Sequence, residues 1–308
     1  MEFSDQSFSA AFIIISEFPE RFQENSTAKK FFSPAENCDI LSAVTERETV
    51  NMRKRYLFFD IDGTLLAGGY AGYVPDSTRL ALRKLKEAGH FTAIATGRAQ
   101  WMALPYMREL GFENMVSDGG YGITLGSELL GIEPLCRENV IALIRECQEK
   151  GWPWGIQVEN SDTRLVPDGS FFEATKDGYL KNRIVPGLDP EQFENIYKAY
   201  VVCWEGEEQQ LETLGKLPWC RYMPEYFFVE PLEKAKGIRR MMDHFGADYR
   251  DVIVFGDGDN DLSMFTDEWT KVAMGNATQR LKEKADLVTT DIEHDGIWNA
   301  CLQLGLFE

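Results

Sequence analysis

From Met52 onward the apolar residues fall into two alternating patterns. Short unbroken runs at 56–59, 91–95 and 115–117 are of the buried parallel-strand kind. Between them lie stretches at helical spacing. In the first, 78–88, Ala81, Leu82, Leu85 and Ala88 form one stripe; Ser77 stands where an N-cap would, and Gly89 closes it. The second, 99–110, is stopped by Gly111 and carries Pro105 in its middle. This βαβαβ order predicts a parallel sheet with right-handed crossovers. The alternation returns late in the chain, with a helix at 237–245 and strands at 252–255, 271–274 and 287–289.

Residues 129–228 interrupt it. Pro, Gly and aromatics become frequent, as in Trp152-Pro153-Trp154-Gly155 and Val185-Pro186-Gly187. Helical patterns at 138–150 and 191–200 are interleaved with strand-like runs such as Val201-Val202-Cys203-Trp204 and Tyr226-Phe227-Phe228-Val229. This predicts an inserted α+β domain of 129–228, dividing a sheet domain into 52–128 and 229–308. Residues 1–51 show apolar patches without periodicity and are expected to be a loosely attached extension.

Composition narrows the function. The chain has 308 residues, with 32 Lys plus Arg against 50 Asp plus Glu, a net charge of -18. Such a chain repels nucleic acid and anionic membrane, so neither is an expected partner. No run approaches the ~20 apolar residues of a membrane span, and Glu2 and Asp5 stand where a secretory signal would be basic, so the expected location is cytoplasmic. Cys38, Cys136, Cys147, Cys203, Cys220 and Cys301 form no C-x-x-C pair and do not cluster with the histidines, which argues against zinc and for reduced, structural thiols.

The candidate chemistry follows the strands. The first ends in Asp60-Ile61-Asp62-Gly63-Thr64. In an open α/β sheet, ligands bind beyond the carboxyl ends of the strands. Two carboxylates two residues apart there suit a nucleophile with an acid/base, or a metal site. A calcium loop would need Glu at its twelfth position, which here is Ala71. The second strand ends in Thr96-Gly97-Arg98, which is either a phosphate cradle or an ordinary connector. Lys236 and Gly237 open a helix. A later strand ends in Gly256-Asp257-Gly258-Asp259-Asn260-Asp261, an acidic surface loop or a set of hard oxygen ligands for Mg²⁺.

Together and in this order, these pieces resemble the haloacid dehalogenase superfamily, and within it the Cof-type hydrolases with a large α/β cap between the second and third motifs. The resemblance covers about 52–308 and extends to Ala273-Met274-Gly275-Asn276-Ala277 and Asp295-Gly296-Ile297. It implies a Rossmann-like parallel-sheet core with a separate inserted α+β cap, and a Mg²⁺-dependent phosphatase acting on small phosphorylated metabolites, sugar phosphates first. By the same resemblance, Asp60 is the nucleophile that becomes an aspartyl phosphate, and Asp62 is the general acid and base. Asp60, Asp62 (through its main-chain carbonyl), Asp257 and Asp261 hold the metal; Thr96, Gly97, Lys236 and Asn260 bind the phosphoryl group. A phosphomutase or phosphotransferase using the same phospho-Asp, and a phospho-accepting signalling switch, are the alternatives. The family usually carries Asn-Gly-Ala after the third strand, whereas this chain has Ser117-Asp118-Gly119-Gly120; a local turn explains the Asp better than a different substrate.

Overall fold

The computed structural model describes residues 53–69 and 72–308; the expected extension of 1–51 and Cys38 lie outside the described residues. In chain order, the first half runs β1 (Tyr56–Phe59), α1 (Asp76–Glu87), β2 (Phe91–Ala95), α2 (Gln100–Glu109), β3 (Met115–Ser117), β4 (Gly122–Leu125), β5 (Glu128–Ile132) and α3 (Arg137–Lys150). Then come β6 (Trp154–Gln157), β7 (Thr163–Val166), α4 (Ser170–Thr175), β8 (Lys181–Ile184), β9 (Lys198–Val202), β10 (Trp219–Met223) and β11 (Tyr226–Val229). The chain closes with α5 (Lys234–Phe245), β12 (Val252–Gly256), β13 (Thr270–Ala273), α6 (Gln279–Lys282), β14 (Leu287–Val288) and α7 (Gly296–Gln303).

Two sheets result. The first has the order β14-β13-β12-β1-β2-β3-β4-β5. It is parallel from β14 to β3, then turns antiparallel. β1 and β12 at its centre are buried almost throughout because helices cover both faces of a parallel sheet, which is why they read as continuous apolar runs. The second sheet has the order β10-β11-β9-β6-β7-β8. Its β9 and β11 alternate strictly. Ala199, Val201, Phe227 and Val229 join a core shared with α3, whereas Tyr200, Tyr226 and Phe228 pack in a different cluster on the other face. The described residues fall within one compact unit, Asn51–Glu308.

The sequence reading needs four corrections. The expected helix at 191–200 is absent: only a short turn at Pro190–Gln192 forms, and Lys198–Val202 is a strand. Pairing with β6 on one side and β11 on the other outweighs the helical spacing of that stretch. Ser77 is not the cap of α1, which begins at Asp76 behind Pro75. The first sheet also continues past residue 128, because Gly126 and Ser127, both at positive φ (55° and 68°), make a two-residue hairpin that returns β5 onto β4. Finally, α5 begins at Lys234, three residues before its expected start, and this changes the site.

Candidate active site

Parallel pairing brings the motifs to one edge. Phe59 lies beside Phe255 on one side and Ile94 on the other, so β1, β12 and β2 end at the same level. Asp60, Asp257 and Thr96 therefore emerge together. Asp60 is 2% exposed, and its main-chain N–H donates to the Phe255 carbonyl at 3.0 Å.

Asp60, Asp257 and Asp261 each offer a carboxylate oxygen, all within 4.8 Å of one another. Burial raises the Asp60 carboxyl well above its ordinary value, and repulsion from Asp261 adds to this while Lys234 opposes it. Burial and then Asp261 push Asp257 up to about 7. Three carboxylates meet here against the single positive charge of Lys234, and their all-oxygen donor set fits a hard divalent cation such as Mg²⁺. Asp261 also staples its own loop: its Oδ2 accepts from the N–H groups of Asp257 (2.9 Å) and Gly258 (3.0 Å). Thr64, the last residue of the first motif, donates its hydroxyl to Asp257 Oδ1 at 2.9 Å. Asn276 donates its side-chain amide to the Gly63 carbonyl at 2.8 Å and accepts from Ile292 N–H at 3.0 Å, which gives the Met274-Gly275-Asn276 motif a structural task.

The expected lysine is the wrong one. Lys236 points to Glu133, with Nζ 2.7 Å from Oε1, and lies over the Tyr121 ring. The lysine at the carboxylates is Lys234, whose Nζ donates to Asp60 Oδ1 and to Asp261 Oδ1, both at 2.5 Å. Its side chain is 2% exposed. Burial disfavours its charge, but Asp261 and Asp60 more than offset this and raise its pKa. Helix phase is the reason. Lys234 shares the buried stripe of α5 with Gly237, Ile238 and Met241, whereas a residue two further on turns about 200° away. That stripe was visible in the sequence and would have selected Lys234.

Two glycines bring α5 close enough. A Cβ on Gly237 would stand 2.3 Å from Val116 Cγ1 and 2.8 Å from the Gly120 carbonyl oxygen. Gly120 itself has φ +108°, and a Cβ there would stand 2.1 Å from the Glu233 carbonyl oxygen. The loop after β3 thus lies directly on the segment that starts α5. Asp118 belongs to that loop. It has φ 50°, a conformation that Asp and Asn tolerate, and its buried Oδ2 accepts from Gln100 N–H (3.0 Å) and the Ser117 hydroxyl (2.9 Å). The turn reading of Asp118 holds.

Asp62 is clamped by Arg98. Nε reaches Oδ2 at 2.8 Å and Nη2 reaches Oδ1 at 2.5 Å, a bidentate fork. The guanidinium lies 4.9 Å from the centre of the Tyr106 ring. Burial opposes its charge, but the Asp62 carboxylate outweighs this and raises its pKa. Thr96 is buried, and its hydroxyl accepts from Arg98 N–H at 3.1 Å. Asp62, Thr96, Gly97 and Asn260 line the floor of a cavity of about 440 Å³ whose other wall comes from the second sheet. Thr64, Arg98 and Lys234 are the residues whose roles sequence reasoning missed.

A doubly sided α/β sheet with paired aspartates beyond its first strand, an acidic loop beyond a later one and a buried lysine between them defines a class of phosphoryl-handling enzymes. The chain belongs to the haloacid dehalogenase-like hydrolases, whose family model matches residues 57–301, and it is a Cof-type phosphatase among them. It is 31% identical over 262 residues to the Bacillus subtilis (strain 168) protein called "Putative phosphatase YkrA", covering 83% of this chain and 100% of that one. A crystal structure of a hypothetical protein from Geobacillus kaustophilus HTA426 matches with a TM-score of 0.71 at 34% identity, over 83% of this chain and 100% of that one. The sugar phosphatase BT4131, of haloacid dehalogenase subclass IIB, matches with a TM-score of 0.64 at 28% identity, over 82% of this chain and 100% of that one. Among the described residues, no helix is long and apolar enough to cross a membrane.

Proposed function

We propose that this phosphatase hydrolyses phosphomonoesters of small metabolites through an aspartyl phosphate on Asp60, with sugar phosphates as the first class to test. The observation that carries the reading is the buried Asp60–Lys234–Asp261 arrangement beside Asp257, next in the chain to the Asp62 and Asn260 that line the cavity floor. Asp60 attacks phosphorus, forming a new P–O bond as the bond to the leaving oxygen breaks. Asp62 gives that oxygen its proton. Asp62 then takes a proton from the water that attacks the phospho-Asp, releasing phosphate and restoring Asp60. Thr96, Gly97 and Asn260 bind the phosphoryl oxygens, and Lys234 takes the place first given to Lys236. Mg²⁺ would be held by Asp60, Asp257 and the main-chain carbonyl of Asp62, with Asp261 behind them, and would neutralise charge on the phosphoryl group. Arg98 orients Asp62.

In this reading, the inserted domain that follows β5 and ends with β11 acts as a cap that excludes water from the floor, and the enzyme works in the cytoplasm, where such metabolites are made. Asp62 argues against a signalling switch, since a carboxylate that activates water shortens the life of a phospho-Asp. Net phosphate release separates hydrolysis from a mutase reaction. We expect Mg²⁺-dependent release of p-nitrophenol from p-nitrophenyl phosphate, chelator-sensitive and reduced by more than about a thousandfold in Asp60→Asn. Near wild-type activity in Asp60→Asn would remove the nucleophile assignment.

A further inference from the structure

Two sequence motifs, Ala273-Met274-Gly275-Asn276-Ala277 and Asp295-Gly296-Ile297, have no part in the chemistry described so far. The fold joins them. β13 pairs with β12, Ala273 beside Gly256, so the turn after Ala273 leaves the sheet next to the acidic loop. Ala277 N–H closes that turn on the Met274 carbonyl at 2.9 Å, with Asn276 at its third position. The turn lies along the acidic loop: Met274 N–H donates to the Gly256 carbonyl at 3.0 Å, and Thr278 N–H to the Asp257 carbonyl at 2.8 Å.

The segment 289–296 braces the turn. Gly275 N–H donates to the Thr290 carbonyl at 3.0 Å, and a Cβ on Gly275 would stand 2.4 Å from the Asp291 nitrogen. The brace is folded on itself. Gly296 N–H reaches the Asp291 carbonyl at 3.2 Å, and the Thr289 hydroxyl reaches the Gly296 carbonyl at 2.7 Å.

Asn276 ties turn and brace to the first motif. Its amide donates to the Gly63 carbonyl at 2.8 Å and accepts from Ile292 N–H at 3.0 Å. One partner is an acceptor and the other a donor, so the amide has a single orientation; an ionised Asp, of the same shape, has no donor to give. Both hydrogen bonds go to main-chain groups, so Asn276 acts on the site through the loop that it holds.

The two peptide planes that meet at Gly63 are both fixed. The first contains the Asp62 carbonyl and the Gly63 N–H, which donates to the Leu66 carbonyl at 2.9 Å. The second contains the Gly63 carbonyl, held by Asn276. Gly63 has φ +83°, and a Cβ on it would stand 2.1 Å from Asp257 Oδ2. Thr64, fully buried, donates its hydroxyl to Asp257 Oδ1. The loop therefore aims the Asp62 carbonyl and meets the Asp257 carboxylate at both oxygens. These are two of the groups assigned above to the cation. Outer partners that orient metal-binding groups commonly change metal affinity by about 10–100-fold.

We propose that Asn276 is a positioning residue for the cation: by fixing the Gly63 peptide it sets the affinity for Mg²⁺, and it takes no direct part in phosphoryl transfer. This deepens the reading of Asp60, Asp62 and Asp257 as a metal site and rests on it.

The test titrates Mg²⁺ into the metal-free full chain by calorimetry, without substrate. Asn276→Ala, at an exposed residue, should raise Kd about tenfold or more. Its kcat on p-nitrophenyl phosphate at saturating Mg²⁺ should stay within about threefold of wild type, while the Mg²⁺ concentration for half-maximal rate rises with Kd. Asn276→Asp keeps the acceptor for Ile292 N–H and loses only the donor. Its added negative charge alone would tighten cation binding, so weaker binding in this variant as well reports the lost Gly63 contact. Urea melts of both variants in chelator follow the metal-free fold, and if Asn276→Ala does not fold the Kd of Asn276→Asp decides. A merely structural role would lower those midpoints and leave Kd unmoved. An unmoved Kd in folded Asn276→Ala, or a lowered kcat at saturating Mg²⁺ with Kd unmoved, would overturn the proposal. Wild-type protein that binds no Mg²⁺ would overturn the metal-site reading itself and the proposal with it.

Discussion

At the scale of single residues, the site turns on which lysine faces the carboxylates. Lys234 neutralises Asp60 and Asp261 from within the protein, whereas Lys236 pairs with Glu133 on the surface. Lys234→Met should lower kcat by about 10²–10³, the usual loss when one preorganised charge contact is removed, and Lys236→Met should change it less than about threefold. Steady-state kinetics of the two variants side by side decides between them. Asp118 makes a second prediction. Burial raises its carboxyl above the ordinary value, with Lys198 opposing by attraction. A carboxyl raised on folding binds its proton more tightly in the native state. Its contribution is therefore most favourable below the unfolded value of about 4 and is lost as pH rises toward the folded one. Asp118→Asn keeps a side chain that tolerates φ 50° and an acceptor for Gln100 N–H. Urea melts at about pH 4.5 and about pH 7 should show the variant gaining stability relative to wild type as pH rises. A constant difference would mean that Asp118 does not titrate in this window.

At the scale of elements, the position of α5 carries the site. The helix supplies Lys234, and its depth is set where Gly237 meets Val116 and Gly120. Alanine would gain about 1 kcal/mol of helix propensity but would force its methyl group onto a main-chain oxygen that cannot yield. Gly237→Ala should therefore destabilise the fold by about 1–3 kcal/mol net and lower kcat as Lys234 shifts, measured by urea unfolding and by turnover on the same preparation. The elements that the sequence predicted well are those with one unambiguous period: the buried strands of the first sheet, α1 and α3. The stretch 191–200 was misread because its apolar spacing suits a helix while its strand partners, β6 and β11, lie far away in sequence. Helix starts were also poorly placed. The residues at the N-caps of α1, α2 and α5 (Pro75, Ala99 and Glu233) supply no capping side chain of their own, so the chain just before these helices carries no Ser, Thr, Asp or Asn cap to mark the start.

At the scale of the whole molecule, the two sheets meet over the cavity through a small set of polar contacts. Asn160, in the loop between β6 and β7, accepts from Trp101 N–H at 3.1 Å and donates to Gln100 Oε1 at 2.8 Å. It serves the first turn of α2 as a cap supplied from the other layer. Asn160→Ala should lower kcat/KM up to about tenfold, as a contact worth about 1 kcal/mol is lost from the closed arrangement. Faster cleavage in limited proteolysis should accompany it, and unchanged kinetics would mean that the contact does not bear on closure. The net charge of -18 has a plainer meaning at this scale. The first 51 residues carry nine acids and four bases, leaving about -13 on the rest. Much of that lies more than a Debye length, about 8 Å, from the site and is screened where exposed. It does not bar a small anionic substrate whose local field comes from Lys234, Arg98 and a bound cation.

The sequence by itself determined the class of the protein. Strand-forming runs are local, and a catalytic group placed directly after such a run is carried to the same edge of a parallel sheet whatever else the chain does. That Asp60, Asp62, Thr96, Gly97, Asp257, Asn260 and Asp261 gather at one edge was legible for that reason. Tertiary structure decided what depends on phase and on distant pairing. The phase of α5 chose Lys234 over Lys236, since two residues along a helix nearly reverse a side chain's direction. Arg98 found Asp62, and Thr64 found Asp257, across 36 and 193 residues. The period of two in β9 and β11 sent one set of apolar residues into the core and the other, with Lys198, onto the cavity. No spacing along the chain records which face of a strand will look at a site that another part of the chain builds.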